Sequence, residues 1–241
     1  MPKVTEYITF IPGQDEYLPD SHAYVIGQQN SKDLTLVDAG LMGKGAYKLG
    51  AIQKEGLSLA DIKRVIMTHT HLDHIGCLGE IRQTLPGIEL WIHEAEALPL
   101  EEGDERTVYG MEGFRSMCQA QFRLKPGDFT FPVNRKLQGG EKLNIGGLTW
   151  EVLHIPGHSL GSIALYSHAD KVLIPGDVVY ADFAIGRFDL HGASGPILRE
   201  SLARLAELDV KILLPGHNRI VRDVQPDYIL KTAKEWASYL T

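Results

Sequence analysis

Thr68-His69-Thr70-His71-Leu72-Asp73-His74 places four metal-capable side chains within six residues, directly after the apolar run Val65-Ile66-Met67. Three imidazoles and a carboxylate crowded into one turn lose hydration when buried, and a divalent cation is the usual compensation. On an extended strand His69, His71 and Asp73 share one face, and a turn after Asp73 swings His74 towards a second ion. Two adjacent cations are therefore the expectation from this stretch, against the plainer reading of a solvated polar loop between a strand and a helix.

Three other places present a candidate ligand after a turn-forming pair: Pro156-Gly157-His158, Pro175-Gly176-Asp177 and Pro215-Gly216-His217. Each follows an apolar run that reads as a strand, at residues 150–155, 171–174 and 210–214. Three strand ends thus carry His, Asp and His to one rim, and glycine before the ligand lets the backbone bend and approach an ion closely.

With these motifs in hand, the sequence resembles the metallo-β-lactamase-fold hydrolase superfamily and, within it, glyoxalase II-like proteins. The resemblance runs from Val37-Asp38-Ala39-Gly40 through the His-x-His-x-Asp-His run to Leu214-Pro215-Gly216-His217. It implies a first metal held by His69, His71 and His158, and a second held by Asp73, His74 and His217, with Asp177 bridging the two. It makes Asp38 a partner that orients a ligand histidine. The stretch Gly186-Arg187-Phe188-Asp189 also resembles the family; Arg187 and Asp189 are expected to pair at the rim, and Tyr180 and Arg187 are candidates for touching substrate. Glyoxalase II itself carries a further C-terminal helical region with basic residues that grip glutathione. Here 24 residues follow His217, so glutathione recognition is not implied.

With 241 residues, 44% of them hydrophobic and 23% charged, the chain reads as one domain with a substantial core. A formal charge of −7 argues against a nucleic-acid surface, which needs a basic stripe. Cys77 and Cys118 are too few for a disulfide framework and read as small buried hydrophobes. Without a segment of signal-peptide or membrane-span pattern, the expected location is the cytoplasm, with no membrane partner. The expected partners are a small-molecule substrate and, where surfaces allow, a second copy in a homodimer.

Strands are expected at 3–11, 22–27 and 34–37, with a surface loop over 12–19, where His22 stands at a strand end. Helical spacing predicts helices over 43–55, 74–85, 196–208 and 226–240, the last turning Ile229, Leu230, Ala233, Trp236 and Tyr239 inward. A strand follows at 88–93. Gly146-Gly147 marks a hairpin between 143–145 and 148–150, and 162–166 pairs with 171–174. Residues 94–140 are short of strand signals and carry Met111, Phe114, Met117 and Phe122 at helical spacing. That segment reads either as a helical hairpin covering the core or a dimer contact, or as a lid over the metals. The order suits an α/β (α+β) chain folded as an αββα sandwich.

A first shell of nitrogen and oxygen suits two divalent ions, zinc foremost, with iron(II) and manganese compatible. Two ions about 3.5 Å apart would share a water, lower its pKa and supply hydroxide for attack on a carbonyl. Asp73 and Asp177 are the candidates to orient that hydroxide and relay its proton. Hydrolysis of a small thioester, lactone or other activated ester is the reaction implied. The alternative is a persulfide dioxygenase-like oxidoreductase with one iron.

Overall fold

In a computed structural model that describes residues 3–15 and 18–241, two six-stranded sheets lie face to face. The first contains β1 (Ile8–Ile11), β2 (Ala23–Ile26), β3 (Leu34–Val37), β4 (Ile62–Ile66), β5 (Glu89–His93) and β6 (Arg135–Leu137), in that order. Its first three strands pair antiparallel and its last three join in parallel. The second contains β7 (Lys142–Ile145), β8 (Leu148–His154), β9 (Ile163–Ser167), β10 (Val172–Ile174), β11 (Ile212–Leu213) and β12 (Val221–Arg222). All its pairings are antiparallel except β10 with β11, where Val172 faces Ile212.

The side-chain alternation of the strands explains the layers. Ile26, Val37 and Ile66 from one sheet meet Trp150, Ile163 and Leu165 from the other in a dry middle core. The opposite faces carry their own cores. Leu36, Val65 and Leu90 bury against α1 (Gly45–Lys54) and α3 (Leu78–Thr84), while Ala164 and Leu173 bury against α7 (Gly195–Leu205) and α8 (Tyr228–Trp236). A sheet covered on both sides by apolar surface requires a helix layer outside each sheet, which is the αββα arrangement.

Several expectations need correction. The strand expected over 3–11 is limited to β1, with Lys3 making only an isolated bridge to Thr9. The loop read at 12–19 contains Glu16 and Tyr17, which lie outside the described residues. The helix expected over 74–85 is two pieces, α2 (Leu72–Ile75) and α3, separated at Gly76 and Cys77. A Cβ on Gly76 would lie 2.4 Å from the Leu72 carbonyl oxygen and 2.5 Å from the Met42 amide nitrogen, so the chain passes too close there for any larger residue. Residues 94–140 form α4 (Glu94–Glu102), α5 (Arg106–Tyr109) and α6 (Glu112–Phe122), but they also contribute the edge strand β6. Leu230 and Tyr239 are exposed, and α8 buries Tyr228, Ile229 and Thr232 instead. Among the described residues, no helix is long and apolar enough to cross a membrane.

Candidate metal centre

The strands bring four loops to one edge of the sandwich. β8, β10 and β11 run the same way, since β9 is antiparallel to both β8 and β10 and β11 is parallel to β10. Their C-terminal loops therefore share an edge, and the Gly216 amide donates to the Gly176 carbonyl at 2.9 Å to tie two of them together. From the other sheet, the Thr68 carbonyl accepts from the Ile163 amide at 2.9 Å and seats the His-rich stretch beside them. That stretch is no strand. β4 ends at Ile66, His69 and His71 stand on the irregular segment after it, and Asp73 and His74 fall in α2. The ligand spacing comes from a loop entering a helical turn, not from strand alternation.

Two groups of side chains result. One ring nitrogen from each of His69, His71 and His158 forms the first, and Asp73, His74, Asp177 and His217 form the second; within each group the candidate donor atoms all lie within 4.8 Å of one another. Asp177 stands between them, with Oδ1 3.2 Å from His74 Nε2 and Oδ2 3.7 Å from His158 Nε2 and 3.5 Å from His217 Nε2. Gly216 permits this closeness: a Cβ there would sit 2.1 Å from Asp177 Oδ1 and 2.7 Å from His74 Cε1.

The hydrogen bonds behind the rings fix which nitrogens face inward. His158 Nδ1 donates to the Arg187 carbonyl at 2.7 Å, leaving Nε2 without a proton. The Thr68 hydroxyl donates to Asp38 Oδ2 at 2.8 Å, so it accepts from His69 Nδ1 at 3.1 Å, and His69 Nε2 is bare as well. These two lone pairs point at each other across 3.2 Å. His71 Nε2 is buried without a hydrogen-bond partner, and His74 Nε2 and Asp177 Oδ1 have only each other, 3.2 Å apart. Buried polar atoms are rarely left so, and a cation in each group would satisfy them. The residues present fit divalent metals.

Asp38 lies behind the two groups. Its Oδ2 accepts from His74 Nδ1 at 2.9 Å and its Oδ1 from the Thr68 amide at 2.7 Å, so one carboxylate orients both halves of the centre. His22, read as a strand-end residue, is buried; its Nδ1 accepts from the Gly13 amide and its Nε2 donates to the Asn218 carbonyl beside His217. Glu96 was not foreseen. It is 1% exposed, and its Oε2 accepts from the Thr70 amide and hydroxyl at 2.8 and 2.7 Å. Its Oε1 accepts from Ser159 Oγ at 2.5 Å and the Gly161 amide at 2.9 Å. One carboxylate on α4 thereby ties the loop of His69 and His71 to the loop of His158.

The electrostatics of the two groups differ in sign. Burial pushes His69 well below its ordinary value, His71 down to about 3, and His158 down as well. For His74 burial pulls the other way but the carboxylates of Asp177 and Asp38 prevail, holding it well above 6.5. His217 is also raised, burial being outweighed by Asp177 and Asp73. Asp73 sits at about 2, where the hydrogen bond from His217 overcomes burial, and Asp177 lies well below its usual range because the neighbouring His74 and His217 outweigh burial. The first group is thus three neutral imidazoles, and the second holds charged carboxylates that attract cations.

A cleft of ≈ 300 Å³ opens over both groups, floored by His71, Asp73, His158, Asp177 and His217. Tyr180 borders it, its phenol pushed well above 10 by burial and by the Asp177 and Asp73 carboxylates, and so held protonated. Arg187 also reaches it, but its guanidinium binds Asp189 twice at 2.9 Å, as expected of an ion pair at the rim. Val108 and Tyr109 of α5, Phe114 of α6 and Met111 between the two helices also line it.

Residues 18–217 match the family description of the Metallo-beta-lactamase superfamily, and the chain belongs to that superfamily. The αββα sandwich is its fold, and the His/Asp groups are of the kind that bind divalent metal. Among its relatives is the hydroxyacylglutathione hydrolase GloC of Haemophilus influenzae, 30% identical over 190 residues, covering 78% of this chain and 81% of GloC. The acyl-coenzyme A thioesterase MBLAC2 of Gallus gallus is 33% identical over 163 residues, 63% of this chain and 55% of that protein. Among solved structures, TTHA1623 in a di-iron-bound form superposes with a TM-score of 0.65 at 26% identity, over 86% of this chain and 92% of that one.

Proposed function

We propose that the chain is a metal-dependent hydrolase of small thioesters or related activated esters, with one divalent ion in each side-chain group and Asp177 between them. The observation that carries this reading is the pair of adjoining donor groups at the floor of one cleft, with bare nitrogens of His69 and His158 facing each other. Ions bound there would supply a water of lowered pKa and positive charge to polarise a carbonyl. His69, His71 and His158 would hold one ion, and Asp73, His74 and His217 the other. The relative named an acyl-coenzyme A thioesterase supports the bond class, and the di-iron form of TTHA1623 supports two ions.

The chain's own residues then divide the remaining tasks. In the reaction a water oxygen bonds to the carbonyl carbon, the carbon–sulfur bond breaks, and the sulfur leaves as a thiol. Asp73 and Asp177, both ionised, orient the water, and one of them accepts its proton and returns it to the departing sulfur. Tyr180, held protonated, donates a hydrogen bond towards the oxygen or the departing sulfur. Arg187 acts through its main chain by fixing His158. The donor set suits zinc, iron(II) and manganese. Metal content of protein purified without added metal, assayed together with a small thioester and lactone panel, tests the proposal. Two metals per chain, with hydrolysis that a chelator and Asp177→Ala both abolish, is the expected result. One iron per chain with oxygen consumption on a persulfide and no hydrolysis would overturn it.

A further inference from the structure

Resting on the hydrolase reading above, the structure further assigns a substrate class: we propose that the cleft receives an apolar, unbranched acyl chain of medium length, joined to a thiol without charge. The floor of the cleft is polar and cationic when loaded, but its walls are not. Val108 and Tyr109 of α5, Met111 in the turn after it and Phe114 of α6 line the cleft together with Leu18, Leu41 and Leu190. Such walls gain from an apolar occupant and give nothing to a charged one.

Three arginines at or beside the cleft are paired with acids. Arg187 is the one Lys or Arg among its described lining residues, and Asp189 occupies its guanidinium. In the adjoining depression, which shares Tyr109 and Met111 with the cleft, Arg106 is bound by Asp104 at 2.5 Å and Arg115 lies 3.8 and 3.6 Å from Glu105 and Glu112. A leaving group bearing phosphates or several carboxylates would have to displace those acids and approach a chain of formal charge −7. The chemistry on the walls therefore selects an uncharged leaving thiol and places the recognition energy in the acyl chain. The cleft is small, ≈ 300 Å³, and open to solvent, so its walls cover a chain of limited length and give nothing to methylenes beyond its mouth.

The test is a series of S-acyl N-acetylcysteamine thioesters from acetyl to dodecanoyl, read as kcat/KM on metal-loaded protein. Beside it, S-alkyl N-acetylcysteamine thioethers from ethyl to dodecyl are titrated calorimetrically into metal-free protein. The expected result is a rise of up to roughly fourfold per added methylene in both series, levelling at the same chain length in both as the chain outgrows the walls. Met111→Asp, a change at a half-exposed position, should flatten both slopes. Thioether binding that lengthens without tightening, or hydrolysis indifferent to chain length, would overturn the assignment. So would S-lactoylglutathione outrunning the octanoyl thioester. Chain-dependent thioether binding without hydrolysis of any thioester supports the cleft assignment while defeating the hydrolase reading.

Discussion

Glu96 and Asp38 hold the centre from behind, Glu96 tying together the loops of the three-histidine group and Asp38 reaching both groups through Thr68 and His74. Removing the Glu96 carboxylate strands the Thr70 and Gly161 amides and two hydroxyls in a dry interior, and each orphaned donor costs about 1–3 kcal/mol. Glu96→Gln keeps the shape but turns a donating amide against donors. The expected outcome for Glu96→Gln is a 10- to 100-fold weaker ion in the three-histidine group, the range found when groups behind a metal ligand are changed, with the ion of the second group held as before. Asp38→Asn should weaken both ions, because the amide cannot accept from Thr68, which positions His69, and from His74 at once. Asn also suits the φ of +58° at this position, so the backbone is spared. Stepwise competition against a chromogenic chelator checks both; a lowered unfolding temperature with both affinities intact would reduce Glu96 to a packing residue. The candidate ligands were legible because their spacing and their Pro-Gly neighbours are local in sequence. Glu96 was not, since its partners Thr70 and Ser159 are 26 and 63 residues away and it reads as an ordinary acid in the first turn of a helix.

The elements that sequence pattern missed are those decided by tertiary contact. Ile75, Leu78, Ile81 and Leu85 keep helical spacing across 74–85, so periodicity sees one helix; the Cys77 amide divides it by donating to the Gly40 carbonyl at 2.9 Å, beside the close approach of Met42 to Gly76. The break matters to the centre. The His74 carbonyl at the end of α2 accepts from the Ala39 and Gly40 amides at 2.9 and 2.8 Å, which locks α2 onto the loop carrying Asp38. Gly76→Ala should therefore cost about 1–3 kcal/mol, the range for overpacking, and should loosen His74 while leaving the three-histidine group in place. Urea denaturation of metal-free protein gives the first quantity and the imidazole NMR signals the second; an unchanged midpoint would refute the steric account. β6 was hidden for another reason. It opens with exposed Arg135 and Lys136, charges of the kind that protect an edge strand and disguise its pattern. β12, at two residues, is too short to show a period at all.

Across the molecule the two sheets converge on a centre whose groups respond to acid in opposite ways, and stability without metal should show it. His71 is held at about 3 in the folded chain against an ordinary value of 6.5, with His69 and His158 also lowered. Between those values the unfolded chain binds more protons, so the folded state loses stability as pH falls from 6.5 towards 3. His74 and His217 are raised. Their contribution is complete below 6.5 and is lost as pH climbs through the raised values, leaving Asp38, Asp73 and Asp177 crowded without counter-charge. Metal-free protein should accordingly be most stable near neutrality and weaken on both sides. A bound divalent ion replaces the protons of His74 and His217, so loaded protein should keep its stability on the alkaline side, and filling the second group should release protons where filling the first releases few. Urea midpoints from pH 5 to 9 with and without zinc, and zinc calorimetry in buffers of different ionisation enthalpy, measure the two effects. A metal-free midpoint that stays level from neutrality to pH 9, or equal proton release from both groups, would mean that the carboxylates do not hold His74 and His217 protonated. The second group would then be as ready for its ion as the first.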